Sequence, residues 1–112
     1  MTTITPAQLF APAQLAATDV SLYSPITPTA AQIGRAVFTN TTASAVTITA
    51  GITTGGTLGA STTMISARTL APNETYVSPE LAGAVIPPGQ QLHAYASAAA
   101  SVTFTVSGIL IQ

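Results

Sequence analysis

Ile33 to Thr53, IGRAVFTNTTASAVTITAGIT, reads as one strand, a polar turn and a second strand. In the first run Ile33, Arg35, Val37 and Thr39 share one face, and Gly34, Ala36, Phe38 and Asn40 share the other. In the second run Val46, Ile48, Ala50 and Ile52 alternate with Thr47, Thr49, Gly51 and Thr53. A period of two in β-branched residues marks a half-buried strand. Between the runs, Asn40-Thr41-Thr42-Ala43-Ser44 offers short polar side chains that bond their own backbone and favour a turn. The expectation is a β-hairpin at the centre of an all-β domain.

Working outward, the same signals recur. Val20, Leu22 and Ser24 alternate with Asp19, Ser21 and Tyr23, and Pro25-Ile26-Thr27-Pro28 ends that strand because proline cannot donate to a ladder. Gly55 to Thr63 is a glycine-rich loop, expected to be mobile and to serve as a contact tip. It is no phosphate cradle, since no Gly-Lys-Ser/Thr follows it. Met64–Leu70 and Thr75–Leu81 flank an Ala71-Pro72-Asn73-Glu74 turn, and Pro79 puts the second of them at an edge or ends it. Pro88-Gly89 is a further turn. Leu92, Ala94 and Ala96 then alternate with His93, Tyr95 and Ser97, and Val102, Phe104 and Val106 with Thr103, Thr105 and Ser107. The apolar phase shifts at Ile109 and Ile111, which suggests a bulge at Gly108. About seven or eight short strands without a helical period predict a single antiparallel β-sandwich or jelly-roll-like domain over residues 18–112. Residues 1–17, with a near-repeat of Pro-Ala-Gln-Leu at Pro6 and Pro12, read as an extended arm or a short amphipathic helix.

Composition narrows the function. Charged residues are 4% of the chain, where soluble domains average about 25%. Such a surface repels itself weakly and is suited to being covered by neighbours, so self-association is expected. Two basic residues cannot form the patch that nucleic acid requires. The 47% of apolar residues is largely alanine interleaved with Thr and Ser, with no run approaching the roughly 18–20 residues of a spanning helix; no membrane partner is expected. There is no cysteine, and hence no disulfide or thiolate site. The start, MTTITPAQLF, lacks the basic and apolar regions of a secretory signal, which makes assembly in a cytoplasm the expectation. On that basis the Asn40-Thr41-Thr42 and Asn73-Glu74-Thr75 sequons read as turn residues.

No chemistry-bearing constellation emerges. His93, the one histidine, has no nucleophile signature or ligand set around it and reads as a surface strand residue. Asp19, Glu74 and Glu80 do not form the dense acidic loop that calcium prefers. No catalytic residue, cofactor or metal is therefore expected. Arg35 reads either as an edge residue with a packed stem or as one half of an intersubunit ion pair with a carboxylate of another copy. Tyr23 reads as a rim residue, and Leu9, Phe10 and Leu15 as apolar points of the arm. These five residues are the candidate intersubunit contacts.

The order Gln14-Leu15, Leu22-Tyr23-Ser24-Pro25 and Val37-Phe38-Thr39-Asn40-Thr41-Thr42-Ala43-Ser44-Ala45-Val46-Thr47-Ile48 resembles small virion structural proteins of tailed bacteriophages. Those carry a "Leu-Tyr-Thr-x-Pro" strand followed by a "Thr-Asn-Thr … Ala-Val-Thr-Val" hairpin. Leu70-Ala71-Pro72-Asn73-Glu74-Thr75, Pro88-Gly89-Gln90-Gln91-Leu92-His93-Ala94 and Val102–Ile109 are similar to their later elements. Asn73 stands where a turn glycine is usual, and Gln90 where an acid often follows Pro-Gly. The resemblance spans residues 14–111 and implies a non-enzymatic β-sandwich located in the virion and assembled in the host cytoplasm. The role it implies is capsid decoration (cement), as a trimer or other homo-oligomer bound to the major capsid protein. A neck or tail accessory role is its variant. A receptor- or glycan-binding module of a tail fibre, with Tyr23, Tyr76 and Tyr95 as its candidate aromatics, is the reading of another class.

Overall fold

Period-two segments punctuated by proline and glycine leave the backbone no helical option, and strands form almost throughout. The computed structural model describes residues 3–25 and 29–112, and no helix occurs among them. Ile26, Thr27 and Pro28 of the expected strand-ending turn lie outside the described residues. The strands are β1 (Ile4–Gln14), β2 (Val20–Tyr23), β3 (Ala30–Asn40), β4 (Val46–Thr53), β5 (Thr63–Leu70), β6 (Thr75–Val77), β7 (Val85–Ile86), β8 (Gln91–Ala96) and β9 (Val102–Ile111).

Their pairing is nested. β1 pairs with β9, β2 with β8, β3 with β6 and β7, and β4 with β5, all antiparallel. The chain is thus one long hairpin whose tip is the β4–β5 connection. Two further antiparallel pairings, β3 with β9 and β4 with β8, roll this hairpin into two sheets. One sheet runs β1-β9-β3-β6 with β7 also beside β3, and the other runs β2-β8-β4-β5. Nested pairs rolled into two facing sheets define a jelly roll. The expected class therefore holds, with nine strands.

The roll corrects the expected central hairpin. β3 and β4 lie in different sheets and do not pair. The turn between them is a corner, held by the fully buried side chain of Asn40. Its amide nitrogen donates to the carbonyl oxygens of Ser44 at 2.8 Å, Ala71 at 3.1 Å and Leu70 at 3.3 Å. Its amide oxygen accepts from the Thr42 nitrogen at 3.0 Å and the Thr42 hydroxyl at 2.8 Å. Asn73 turns the neighbouring loop with a φ of 59°, the left-handed conformation that glycine otherwise supplies. Both Asn residues therefore act as turn residues.

The core lies between the sheets. Phe38 and Phe104, both without exposure, stack at 4.3 Å in the first sheet, and Ala50, Ala94 and Ala96 are the small buried residues of the second. Large residues set against small ones fill the roughly 10 Å gap between stacked sheets. In β3 the register slips between Ile33 and Arg35. Ile33 consequently points inward with Ala36 and Phe38 (all three fully buried), whereas Arg35 is exposed, so the expected shared face of Ile33, Arg35 and Val37 is broken. The extra residue sits on β3, not on β9. β9 keeps its phase through Gly108, which pairs with Ile33. Gly108 answers to another demand, because a Cβ there would stand 2.0 Å from the Gln32 carbonyl oxygen.

Within the expected arm, described residues 3–17 form neither a detached segment nor a helix. Ile4–Gln14 is the edge strand of the first sheet, paired with β9 from Ile4 to Gln14. Leu9 and Leu15 belong to the core, and Phe10 packs on Phe104 with ring centroids 5.7 Å apart. An edge strand tolerates Pro6 and Pro12, because a missing N–H on its free side breaks no ladder bond.

Candidate interaction surface

The outer face of the β1-β9-β3-β6 sheet follows from the pairing register. Side chains of directly paired residues share a face, so Ile4, Ile111 and Ala30 form one row across it, and Pro6, Ile109, Gln32 and Val85 the next. Val37 and Val77 pair further along, and Thr39 and Thr75 beside them. Four large apolar side chains of the described residues are exposed, and three of them, Ile4 (61%), Val85 (48%) and Val77 (46%), lie on this face. Scattered apolar residues carry no message, but this clustering does. Between the rows, Gly34, Gly83 and Gly108 with Gln32, Ile33 and Ile109 line a shallow hollow of about 320 Å³.

Between these rows lies a polar one, Gln8, Ser107 and Arg35, and Arg35 is the charge it carries. The single close contact of a basic side chain with a carboxylate among the described residues is elsewhere, between His93 and Asp19. The structure therefore places Arg35 in a polar row of an exposed sheet face, with apolar rows beyond it and no carboxylate partner among the described residues. Tyr23 is half-buried against the core, where burial pushes its phenol above the ordinary value. With Ser24, Thr29, Leu110 and Gln112 it lines a second hollow of about 210 Å³. Phe10 is half-buried, and Leu9 and Leu15 are enclosed in the chain's own core, which removes those two from any outer contact.

The three tyrosines do not converge. Tyr76 lies on β6 of the first sheet, whereas Tyr23 and Tyr95 lie in the second. Tyr23 pairs with the inward Leu92, and Tyr95 with the outward Thr49, so those two face opposite sides. Tyr76 has its ring occupied: the Arg68 guanidinium sits 3.9 Å from its centroid, and its hydroxyl donates to Glu80. Arg68 belongs to β5 and Tyr76 to β6, so this contact clasps an edge of one sheet to an edge of the other. Burial, then the Glu80 hydrogen bond and charge, raise the Tyr76 phenol, and the same hydrogen bond holds the Glu80 carboxyl below its ordinary range.

His93 is not the surface residue its strand pattern suggested. It is 2% exposed although it points away from the core, and the β4–β5 loop lies over Gly51, its cross-strand partner, and bonds to Asp19, its hydrogen-bond partner. Its Nδ1 lies 2.8 Å from Asp19 Oδ1 and its Nε2 lies 2.9 Å from Gln91 Oε1. The sequence separation of 74 between Asp19 and His93 hid this pair from sequence reading. Among the described residues no cluster of three or more His, Cys, Asp or Glu side chains could hold a metal.

The fold defines a class, the antiparallel jelly-roll domain, and comparison with known proteins agrees. No protein-family model and no curated protein matches the sequence. Among solved structures the chain is similar to one of infectious bursal disease virus, Gx strain, with a TM-score of 0.55 and 17% identity over 99% of this chain and 32% of the other. It is also similar to the infectious bursal disease virus VP2 subviral particle, with a TM-score of 0.54 and 18% identity over 98% of this chain and 32% of the other. The chain spans about a third of the length of those chains. At such identities it is the fold that they share.

Proposed function

We propose that this chain is a virion structural protein that works by protein–protein contact: a head-decoration (cement) protein of a tailed bacteriophage, bound to copies of itself and to the major capsid protein. The observation that carries the proposal is the outer face of the first sheet, which is apolar at Ile4, Ile109, Ile111 and Val85 and bears a single charge. The similarity of fold to structures of a virus and of a VP2 subviral particle supports a place in a virion. The tailed-phage and decoration parts rest on the short sequence motifs between Gln14 and Ile111.

The face supplies most of an interface. Three strands of ten or eleven residues (β1, β9 and β3) and the short β6 and β7 beside them give a flat area of about 570 Å² at about 4.8 Å between strands and about 3.4 Å per residue. Stable interfaces bury about 800 Å² per partner, so the rim of the face has to supply the remainder. A second copy is the occupant proposed for it, since apolar rows match one another and a net charge of −1 offers little repulsion. The outer carboxylate oxygens of Glu74 and Glu80 of such a copy are candidates to meet Arg35.

Two measurements test this. Quantitative mass spectrometry of purified particles should find hundreds of copies beside the major capsid protein. A dozen or fewer would move the protein to neck or tail, and absence would end the virion proposal. Sedimentation of the isolated protein should show an oligomer that Ile109→Asp converts to a monomer with an unchanged circular dichroism spectrum. A wild-type monomer, or an unaffected oligomer, would overturn the assignment of this face to self-association.

A further inference from the structure

The β4–β5 loop, residues 54–62, lies against the outer face of the second sheet. Gly51 records how closely it lies: a Cβ there would stand 2.1 Å from the Thr62 carbonyl oxygen and 2.9 Å from the Leu58 Cδ2 atom. The loop has its own internal turn, in which the nitrogens of Thr62 and Thr63 donate to the Gly59 carbonyl and the Gly59 nitrogen donates to the Thr62 hydroxyl. It begins with Gly55 and Gly56 at φ values of 142° and 69°, conformations that glycine adopts freely. Among the described residues, one hydrogen bond ties it to a distant part of the chain. The Leu58 nitrogen donates to Asp19 Oδ2 at 2.7 Å.

The other oxygen of that carboxylate is held by His93. Both ring nitrogens of His93 face oxygens, those of Asp19 and Gln91, so a doubly protonated ring satisfies the site as built. In the neutral ring, rotation of the Gln91 amide would satisfy Nε2 and leave the Asp19 bond in place. Loss of a proton from His93 therefore leaves the loop anchored. Protonation of Asp19 does not. It replaces an anion shared by two N–H donors with a neutral acid, weakens both bonds and leaves a buried imidazolium without its counter-charge. Water reaches that imidazolium when the loop lifts.

We infer that the 54–62 loop is an acid-released flap, anchored by the Asp19 carboxylate and lifting off Gly51 and His93 when that carboxylate is protonated. The elements packed around His93 bring few other titratable groups to it. The segment before β2 contributes Asp19 and β2 itself Ser21, β4 contributes Gly51 between Thr49 and Thr53, β8 contributes Gln91 and Tyr95, and the loop over Gly51 contributes Leu58 and Thr62. Arg68 on β5 is engaged with Tyr76. Asp19 is the carboxylate that faces His93 and holds the loop. The inference does not depend on the virion proposal, since it concerns the isolated chain.

Amide hydrogen exchange, corrected for its intrinsic pH dependence, tests it from neutral pH down to the pH at which the Asp19 carboxyl carbon, followed by NMR, has taken up its proton. Leu58 should lose protection by roughly tenfold or more, the scale of one charge-assisted hydrogen bond, in step with that carbon, while the β9 amides of Thr103 and Thr105 stay protected. Asp19→Ala, which removes the acceptor, should show the unprotected loop already at neutral pH. Protection at Leu58 that survives protonation of Asp19 or persists in Asp19→Ala overturns the inference, as does loss at Leu58 and β9 together. Should Asp19→Ala not fold, the wild-type exchange decides, and a loop still protected once Asp19 is protonated refutes the inference.

Discussion

Replacing Asn40 by aspartate should destabilise the domain more than truncating it to alanine. The Asn40 amide nitrogen is shared among three carbonyl oxygens, those of Ser44, Leu70 and Ala71, and its oxygen takes two donors from Thr42. Alanine removes two N–H donors and one acceptor. Each hydrogen bond is worth about 1 kcal/mol net, and a buried group left unpaired costs about 1–3 kcal/mol. Thr42 and Ser44 lie near solvent and recover partners there, whereas the Leu70 contact is buried. The sum is about 3 kcal/mol for Asn40→Ala. Aspartate has nearly the same shape but, when ionised, donates nothing and sets a buried negative charge against three carbonyl oxygens. About 4 kcal/mol or more follows, a large part of the roughly 5–15 kcal/mol that stabilises a domain. Urea unfolding followed by circular dichroism measures this, as a fall in midpoint at constant slope. Asn40→Asp equal to wild type, or more stable than Asn40→Ala, would refute the corner as described.

Other outcomes follow from single contacts. Phe104→Ala removes a ring with no exposure that touches both Phe38 and Phe10, and should cost about 3–5 kcal/mol in the same urea assay; unchanged stability would remove β9 from the core. Gly108→Ala sets a methyl against the Gln32 carbonyl and should destabilise by about 2 kcal/mol or more, with amide protection lost first between β3 and β9. Glu80, whose carboxyl is held low by the Tyr76 hydrogen bond, contributes stability that is present above the ordinary carboxylate range and lost as pH falls through its folded value. Glu80→Gln should abolish that component and lower the Tyr76 titration followed by ultraviolet absorbance. Because burial is the larger cause, the phenol should stay above its ordinary value.

The candidate surface was only partly legible. Arg35 and Tyr23 could be singled out because charges and aromatics are scarce in this chain, but Leu9 and Leu15 could not be told from contact residues. Both sit between prolines and glutamines in a segment with no clear period, and pairing with β9 is what turns them inward. Ile109 and Ile111 looked like a phase shift of the core. They are the apolar outer rows: β9 keeps its own alternation there, and the extra residue opposite it lies on β3. The His93–Asp19 pair had no local signal, since the loop that bonds to Asp19 comes from a third part of the chain.

Alternation of Thr, Val, Ile and Ala by itself determined that this protein is all-β. Proline and glycine determined where most strands end, and the scarcity of charge determined that its surface suits contact. Which strands pair was decided only by the tertiary structure. A period of two states that one face is buried, but it is the same whether the next strand lies beside it in one sheet or across from it in another. In β3 and β4 the choice fell to the Asn40 corner and to β9 and β8, which pair with them from the far end of the chain. Those pairings join residues distant in sequence, and the energies that select them arise only when both sheets close on one core.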